Sequence, residues 1–211
     1  TWDRGRGKRV AQALAETGLC ALDLEVVWFK PSEKLSAHDG MIEIALELGA
    51  RNVLCVSSEP GSAKTKRRFE HLCRRAEHGA LRVVLEFLAI TEIRTLHQAL
   101  AVVRDVGHPA GGILVDTLHL MRTGSAAEDL RGIERDLIPY LQLCDATAML
   151  ADDSPEGLLD DALYLRRLPG DGELPLRAIL GQLDPHLPLS VEVRSRDLMQ
   201  RFAGDAVGRA S

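Results

Sequence analysis

The sequence predicts an α/β protein built on a parallel sheet. Short apolar runs rich in β-branched residues alternate along the chain with longer segments of helical period. The first five runs recur about every 30 residues, the length of one strand–helix unit. Strands that alternate with helices form parallel sheets, and such strands are apolar on both faces because helices cover them. The pattern fits either an open doubly wound sheet or a closed (β/α)8 barrel.

Six runs are predicted to be strands because each is short, apolar and enriched in β-branched residues. They are Ala21–Val27, Val53–Val56, Leu81–Phe87, Gly112–Asp116, Pro139–Leu143 and Leu189–Val193. A seventh strand, over Ala162–Leu168, is predicted on a weaker signal.

Between these runs, apolar residues at helical spacing predict a set of helices. They are Lys8–Glu16, Gly40–Leu48, Lys64–Glu77, Thr95–Val106 and Leu174–Leu183. The chain opens in a helical pattern, Gly7–Thr17, that leads into the first predicted strand. If the sheet is a barrel, we therefore expect this chain to lack the first strand.

Length and composition narrow the class of protein. At 211 residues the chain is predicted to be a single domain over residues 1–211. A net charge of -5 argues against a protein that binds nucleic acid through positive charge. No apolar run approaches the ~20 residues that span a bilayer, and no secretory signal opens the chain, so we expect a cytoplasmic protein.

Two further patterns bear on cofactors. The four cysteines, Cys20, Cys55, Cys73 and Cys144, form no C-x-x-C pair, which predicts buried, reduced thiols. No G-x-G-x-x-G motif or Walker loop follows any predicted strand. Doubly wound folds that bind nucleotides are therefore disfavoured.

Polar side chains interrupt four of the apolar runs near their carboxyl ends. They are Glu86, Asp116, Gln142 and Glu192. In a barrel, the carboxyl ends of the strands form the rim where active sites are built. Because side chains alternate along a strand, all four can point inward together.

Three carboxylates that converge on one cavity need positive charge, because a buried unpaired carboxylate costs roughly several kcal/mol. A divalent cation supplies that charge, and Gln142 adds a neutral oxygen ligand. All four donors are oxygens, which favours Mn or Mg, with Co or Zn as alternatives. The competing interpretation is that Arg122, Arg166 or Arg167 neutralise the acids as ion pairs without a metal.

Two more residues are candidates for contact with a substrate. His119 follows Asp116 by three residues, on a predicted loop past the strand end, where it could move a proton. Arg166 precedes a Pro-Gly turn, residues 168–176, and could clamp a carboxylate or phosphate. The amides of that turn could also approach an anionic or hydroxylated ligand.

Taken together, these segments resemble the sugar phosphate isomerase/epimerase family, the xylose isomerase-like TIM barrels. The matching motifs are Leu-Glu-Phe (85–87), Val-Asp-Thr-Leu-His (115–119), Gln-Leu-Cys-Asp (142–145), Pro-Gly-Asp-Gly-Glu-Leu-Pro-Leu (169–176) and Ser-Val-Glu-Val (190–193). The resemblance implies a (β/α)8 TIM-barrel-like fold and a divalent metal held by Glu86, Asp116, Gln142 and Glu192. It also implies that His119 and Arg166 contact the substrate. Gln142 stands where histidine is commoner, a feature of the dehydroshikimate dehydratase branch.

Three functions follow as hypotheses. The first is a metal-dependent isomerase or epimerase of a small polyhydroxy ketone or sugar phosphate, acting through an enediolate with Glu86 or Glu192 as proton carrier. The second is a dehydratase (lyase) of the 3-dehydroshikimate type, with His119 as base or acid. The third is a barrel that binds a ligand without turnover. The expected partner is a small polyhydroxylated substrate, not nucleic acid or a membrane, and a homo-oligomeric state is left open.

Overall fold

The computed structural model describes residues 4–77 and 79–205 of the chain. It divides into two compact units. The first comprises the chain up to Val115 together with Glu134–Pro139, and the second comprises Asp116–Ile133 and the chain from Tyr140 onward. The assignment of residues 1–211 to a single domain stays a prediction.

All six predicted strands are present, and the described pairings between them are parallel, which confirms the predicted fold class. In the first unit the strands are β1 (Asp23–Phe29), β2 (Asn52–Ser57), β3 (Arg82–Glu86) and β4 (Gly111–Asp116, whose last residue belongs to the second unit). They pair in chain order. The order is that of successive strand–helix units, in which each helix returns the chain to the next strand.

The helices of the first unit are α1 (Arg4–Thr17), α2 (Asp39–Glu47), α3 (Ser62–Ala76) and α4 (Leu96–Val106), with a short 3-10 helix at Leu35–His38. β2 is buried along its whole length because helices cover it. α3 buries one apolar stripe that includes Phe69, Leu72 and Cys73, at the three- and four-residue spacing of a helix face.

The second unit holds β5 (Leu141–Leu143) and β6 (Leu189–Val191), a parallel pair in which Gln142 lies opposite Ser190. Its helices are α5 (Thr117–Arg122), α6 (Pro155–Tyr164), α7 (Leu176–Leu180) and α8 (Arg196–Arg201). Two 3-10 helices, Ala127–Leu130 in this unit and Arg135–Leu137 in the first, complete the elements. The core of the second unit contains Leu118, Cys144, Ala146, Ala162 and Leu174.

The predicted seventh strand over Ala162–Leu168 is wrong. Ala162 lies in the last turn of α6, and Leu165 and Arg167 form single antiparallel bridges with Ser195 and Asp145. Ser154 caps α6 by accepting a hydrogen bond from Gly157, with Pro155 in the first turn. This start signal outweighs the β-like composition that follows.

Smaller differences have local causes. Cys20 is exposed, which corrects the expectation that all four cysteines are buried; Cys55, Cys73 and Cys144 are buried, and all are free thiols. The last predicted helix begins only at Leu176, because Pro175 occupies its N-cap. Among the described residues, no helix combines the length and the apolarity that crossing a membrane requires.

Candidate functional site

Glu86, the one candidate in the first unit, lies where the sequence predicts it. It is the last residue of β3, in register with Leu114 of β4, and is 6% exposed. A carboxylate at the carboxyl end of a parallel strand lies on the edge that carries active sites in such folds. Its role as a metal ligand stays a prediction.

Asp116 links a strand to a helix in the second unit. It ends β4 and caps α5, and its Oδ1 accepts hydrogen bonds from the amides of Leu118 (2.7 Å) and His119 (3.1 Å). The side chain is fully buried. The N-cap fixes the carboxylate in one orientation and leaves Oδ2 for another partner.

That partner is Arg166, whose Nη1 donates to Asp116 Oδ2 at 2.6 Å. Arg166 is 3% exposed, and its Nε also donates to the carbonyl of Ala162 at 2.9 Å. Burial alone would raise the pKa of Asp116, but the guanidinium and, more weakly, His119 hold that pKa below its ordinary value. Burial alone would lower the pKa of Arg166, yet the charges of Asp116 and Glu192 raise it overall, so the pair is ionised.

His119 lies on α5 and is buried, rather than on an open loop as predicted from the sequence. Its Nε2 is 3.3 Å from Nη2 of Arg166. An arginine can only donate, so Nε2 accepts and the ring proton is on Nδ1. Burial lowers the pKa of His119 to about 4, since the Asp116 charge offsets only part of the desolvation. The imidazole is therefore neutral at neutral pH.

The other two predicted ligands also belong to the second unit. Glu192 lies one residue beyond β6, and its half-buried side chain has Oε2 3.7 Å from Nη2 of Arg166 and Oε1 3.5 Å from Nε of Arg194. Gln142 is the middle residue of β5 and is 1% exposed. Arg166 therefore brings Asp116, His119 and Glu192 together.

The structure agrees in part with the alternative interpretation, in which arginines neutralise the acidic residues as ion pairs. Arg166 pairs with Asp116, whereas Arg122 pairs with Asp161 at 2.7 Å. The buried charge of Asp116 is thus already balanced, and the requirement for positive charge no longer argues for a metal by itself. The donor chemistry does fit one, because Oδ2 of Asp116 accepts the hydrogen bond from Arg166 and a carboxylate oxygen can take a further partner. Glu192 and Gln142 offer further oxygens.

Asp145, which the sequence did not indicate as a site residue, organises the Pro-Gly turn. Its carboxylate accepts hydrogen bonds from the amides of Ala146, Gly170 and Leu174. Burial alone would raise the pKa of Asp145, but these amides hold it below its ordinary value. The expectation that the amides of the turn face a ligand is wrong for Gly170 and Leu174, which donate to Asp145. An aspartate just after a strand, with a glycine-rich turn downstream, was the available signal.

Residues 2–208 match the family described as Xylose isomerase-like TIM barrel. A curated relative, 3-dehydroshikimate dehydratase of Pseudomonas putida, is 25% identical over 90% of this chain and 32% of that protein. The chain thus spans about a third of the length of that curated relative.

Solved structures show the same fold at low identity. The IOLI protein with a binding zinc atom has a TM-score of 0.79 and 23% identity, over 97% of this chain and 78% of that one. The probable 3-DHS dehydratase AsbF of Bacillus anthracis has a TM-score of 0.70 and 14% identity, over 96% and 80%. L-ribulose 3-epimerase has a TM-score of 0.62 and 18% identity, over 92% and 70%. With the family match over nearly its whole length, this chain belongs to the xylose isomerase-like TIM barrel family.

Proposed function

We propose that this chain is a metal-dependent enzyme that removes a proton from the carbon next to a ketone of a small polyhydroxylated substrate, and that the reaction ends in loss of water. The observation that carries the proposal is the arrangement around Arg166, which contacts Asp116, His119 and Glu192 in one unit. A neutral imidazole and a carboxylate beside a fixed positive charge are the groups that proton transfer next to a carbonyl needs.

The choice of dehydration is supported by two observations. The curated relative is a 3-dehydroshikimate dehydratase, and its similarity covers 90% of this chain. Gln142 is buried in β5, and the resemblance to the family implies that glutamine there is a feature of its dehydroshikimate dehydratase branch. Amide oxygen is a neutral ligand that takes no part in proton transfer, so it suits a site where the proton carriers lie elsewhere.

The proposed metal ligands in the second unit are Asp116, Gln142 and Glu192, with Mn or Mg favoured by oxygen donors and Co or Zn as alternatives. Such a metal, when bound, supplies positive charge that stabilises negative charge developing on the substrate ketone. Asp116 would present Oδ2 in a fixed orientation, because Oδ1 is committed to the amides of α5. Glu192 would add a carboxylate whose side chain is only partly buried.

The proton balance of the elimination assigns roles to His119 and Glu192. The C–H electron pair forms the new carbon–carbon double bond, and the hydroxyl on the next carbon leaves as water after taking up a proton. His119 is neutral at neutral pH, with a pKa of about 4, so it does not serve as the acid; to accept the substrate proton, Nε2 would have to exchange its hydrogen bond from Nη2 of Arg166 for that proton. Glu192 then carries the proton to the leaving hydroxyl.

Epimerisation of a polyhydroxy ketone or sugar phosphate is the second candidate. It is favoured by the partial exposure of Glu192, 22% for its side chain, because an accessible carboxylate can return a proton to the substrate carbon. Both reactions begin with the same proton removal, so they differ only in the fate of the intermediate.

Product analysis distinguishes the candidates. Protein loaded with Mn²⁺ is incubated with 3-dehydroshikimate and, separately, with a ketopentose, and products are followed by mass and ultraviolet absorbance. We expect 3-dehydroshikimate to lose water and give a conjugated, absorbing product, and the Glu192→Gln variant to lose this activity. Glu128→Gln, an exposed glutamate of the second unit, is the matched control. A ketopentose product of unchanged mass would favour the epimerase, and no turnover of either would favour a binding barrel.

Metal analysis tests the ligand set independently of turnover. Purified protein is dialysed against Mn²⁺ and its metal content is measured, then the same is done with Asp116→Ala. We expect the variant to lose the metal, while Asp171→Ala, an exposed aspartate in the Pro-Gly turn, retains it. Metal retained in Asp116→Ala would contradict the proposed ligands.

A further inference from the structure

Asp145 holds a loop of the second unit through its side chain. It lies two residues beyond β5 and is 2% exposed. Oδ1 accepts hydrogen bonds from the amides of Ala146 (2.8 Å) and Leu174 (3.0 Å), and Oδ2 accepts one from Gly170 (3.0 Å). A buried carboxylate that receives three amides fixes the backbone that supplies them, because the amides of Ala146 and Leu174 would otherwise be buried without a partner.

The backbone of Asp145 also pairs with Arg167, which begins the segment that contains Gly170 and Leu174. Its amide donates to the carbonyl of Arg167 at 2.9 Å, and the amide of Arg167 donates back at 2.7 Å. Asp145 thus contacts the chain at Arg167, Gly170 and Leu174. We call residues 167–174 the Asp145 loop.

Gly172 shows how closely the Asp145 loop is packed on this carboxylate. A Cβ atom at Gly172 would lie 2.2 Å from Oδ1 of Asp145 and 2.5 Å from the carbonyl oxygen of Ala146. These distances are far below van der Waals contact, and a backbone oxygen cannot swing away. A side chain at position 172 would therefore lift the loop from Asp145 without changing any charge.

Arg166 is the residue immediately before the Asp145 loop. Its amide donates to the carbonyl of Arg194 at 3.1 Å, and its guanidinium reaches Asp116 and His119. Its backbone is therefore held by Arg194 on one side and by the Asp145–Arg167 bridge on the other. Loss of the bridge would free one side of the peptide that carries the guanidinium.

We propose that Asp145 is a positioning residue: by anchoring the Asp145 loop it fixes the guanidinium of Arg166 against Asp116 and His119. The inference deepens the proposed function and rests on it insofar as that function assigns Arg166 to the reaction. Asp145 itself touches no reacting group; it acts through Arg166.

The first test needs no substrate. The Nε–H of Arg166 donates to a buried carbonyl, so its proton NMR signal should exchange slowly with solvent; Arg166→Lys identifies the signal by its disappearance. In Asp145→Asn, an amide NH₂ replaces one acceptor oxygen and opposes a backbone N–H. We expect the signal to shift and its exchange to become about tenfold or more faster. Asp171→Asn, an exposed acid in the same loop, should leave both unchanged.

Gly172→Ala provides a second route to the same displacement, with Gly40→Ala of α2, where a Cβ meets nothing within 4 Å, as its control. We expect Gly172→Ala to reproduce the faster exchange and Gly40→Ala to leave it unchanged. Slow exchange of Arg166 in folded Asp145→Asn and Gly172→Ala would overturn the proposal. Failure of both to fold would also overturn it, because Asp145 would then support the unit as a whole.

Turnover of the substrate found by product analysis gives a second, separable test. If Asp145 acts through Arg166, Asp145→Asn should lower kcat in the wild-type background and cause no further loss in an Arg166→Lys background. Equal losses in the two backgrounds would mean an independent structural role and would overturn the proposal. Should the protein lack turnover altogether, the proposed function fails while the exchange experiment still decides the role of Asp145.

Discussion

At the scale of single residues, Arg166 is the buried cation of the candidate site in the second unit. It is nearly inaccessible and its nearest charge partners are Asp116 and Glu192. A buried pair of this kind adds little net stability compared with apolar groups, but removal of one partner leaves the other charge buried and uncompensated. A substitution that removes the charge of Arg166 therefore destabilises the protein because it leaves the carboxylate of Asp116 buried and uncompensated.

Arg166→Ala should destabilise the protein by about 3–5 kcal/mol, because Asp116 loses the cationic hydrogen-bond donor that balances its charge in a fully buried position. The free energy of unfolding is measured by urea denaturation at neutral pH. Arg167→Ala, the exposed arginine next in the chain, should change it by less than about 0.5 kcal/mol. Similar losses in both variants would mean that the pair with Asp116 is not what Arg166 stabilises.

His119 predicts a dependence of stability on pH. Its pKa is about 4 in the folded protein against an ordinary value of 6.5, so the unfolded chain takes up a proton first as the pH falls. The contribution is fully present above about pH 6.5 and is lost between there and about pH 4, by about 3 kcal/mol. Unfolding is measured across this range in buffer with a metal chelator. His119→Gln should flatten the curve, whereas His97→Gln, on the exposed side of α4, should keep the wild-type slope.

The residue types of the site could be predicted from sequence because polar side chains near the ends of apolar strands are anomalous. Asp116 and Gln142 were found in this way, and both are buried in the structure. The pairing of Arg166 with Asp116 could not be predicted, since the two are 50 positions apart and several arginines were equivalent candidates. Asp145 was missed because its partners are backbone amides, and an aspartate upstream of a glycine-rich turn is only a weak sign of such bonds.

At the scale of elements, strong local signals predicted type and position well. α4 was predicted from Thr95 and begins at Leu96, because Thr95 is its N-cap in a capping box with Gln98. The end of α4 also has a local cause, because Gly107 is its C-cap residue and adopts a left-handed conformation with φ 61°. Where the signal was weak, as for the segment at 162–168, a strand was predicted and the structure has the end of α6, a helix that the local cap at Ser154 and Pro155 starts.

Thr95→Ala should lower the free energy of unfolding by about 1 kcal/mol. The hydroxyl of Thr95 accepts a hydrogen bond from the amide of Gln98, while Oε1 of Gln98 accepts from the amide of Thr95. Chemical denaturation provides the measurement. Thr17→Ala is the control, because the Thr17 hydroxyl donates only to carbonyls of its own exposed helix, and a change within about 0.5 kcal/mol is expected. An equal loss at both positions would exclude the cap as the cause.

At the scale of the whole molecule, the sequence predicted the alternation of strands and helices, and this alternation places the candidate residues near the carboxyl ends of strands. Two compact units were not predicted, because composition and periodicity are similar along the chain and contain no linker. Burial nevertheless differs strongly among their elements. β2 is buried at every position, whereas β6 has two exposed positions out of three and α8 buries none of its residues.

This difference predicts an order of amide hydrogen exchange. The amides of β2, β3 and β4 should exchange last, with opening free energies near that of global unfolding, because their opening exposes the apolar core of the first unit. Those of β6 and α8 should exchange first, since little apolar surface opposes their opening. Exchange followed by mass spectrometry on proteolytic peptides gives the order directly. Equal protection of β2 and β6 would contradict it and would mean that β6 is covered by an interaction that its 46% exposed Leu189 and 63% exposed Val191 do not reveal.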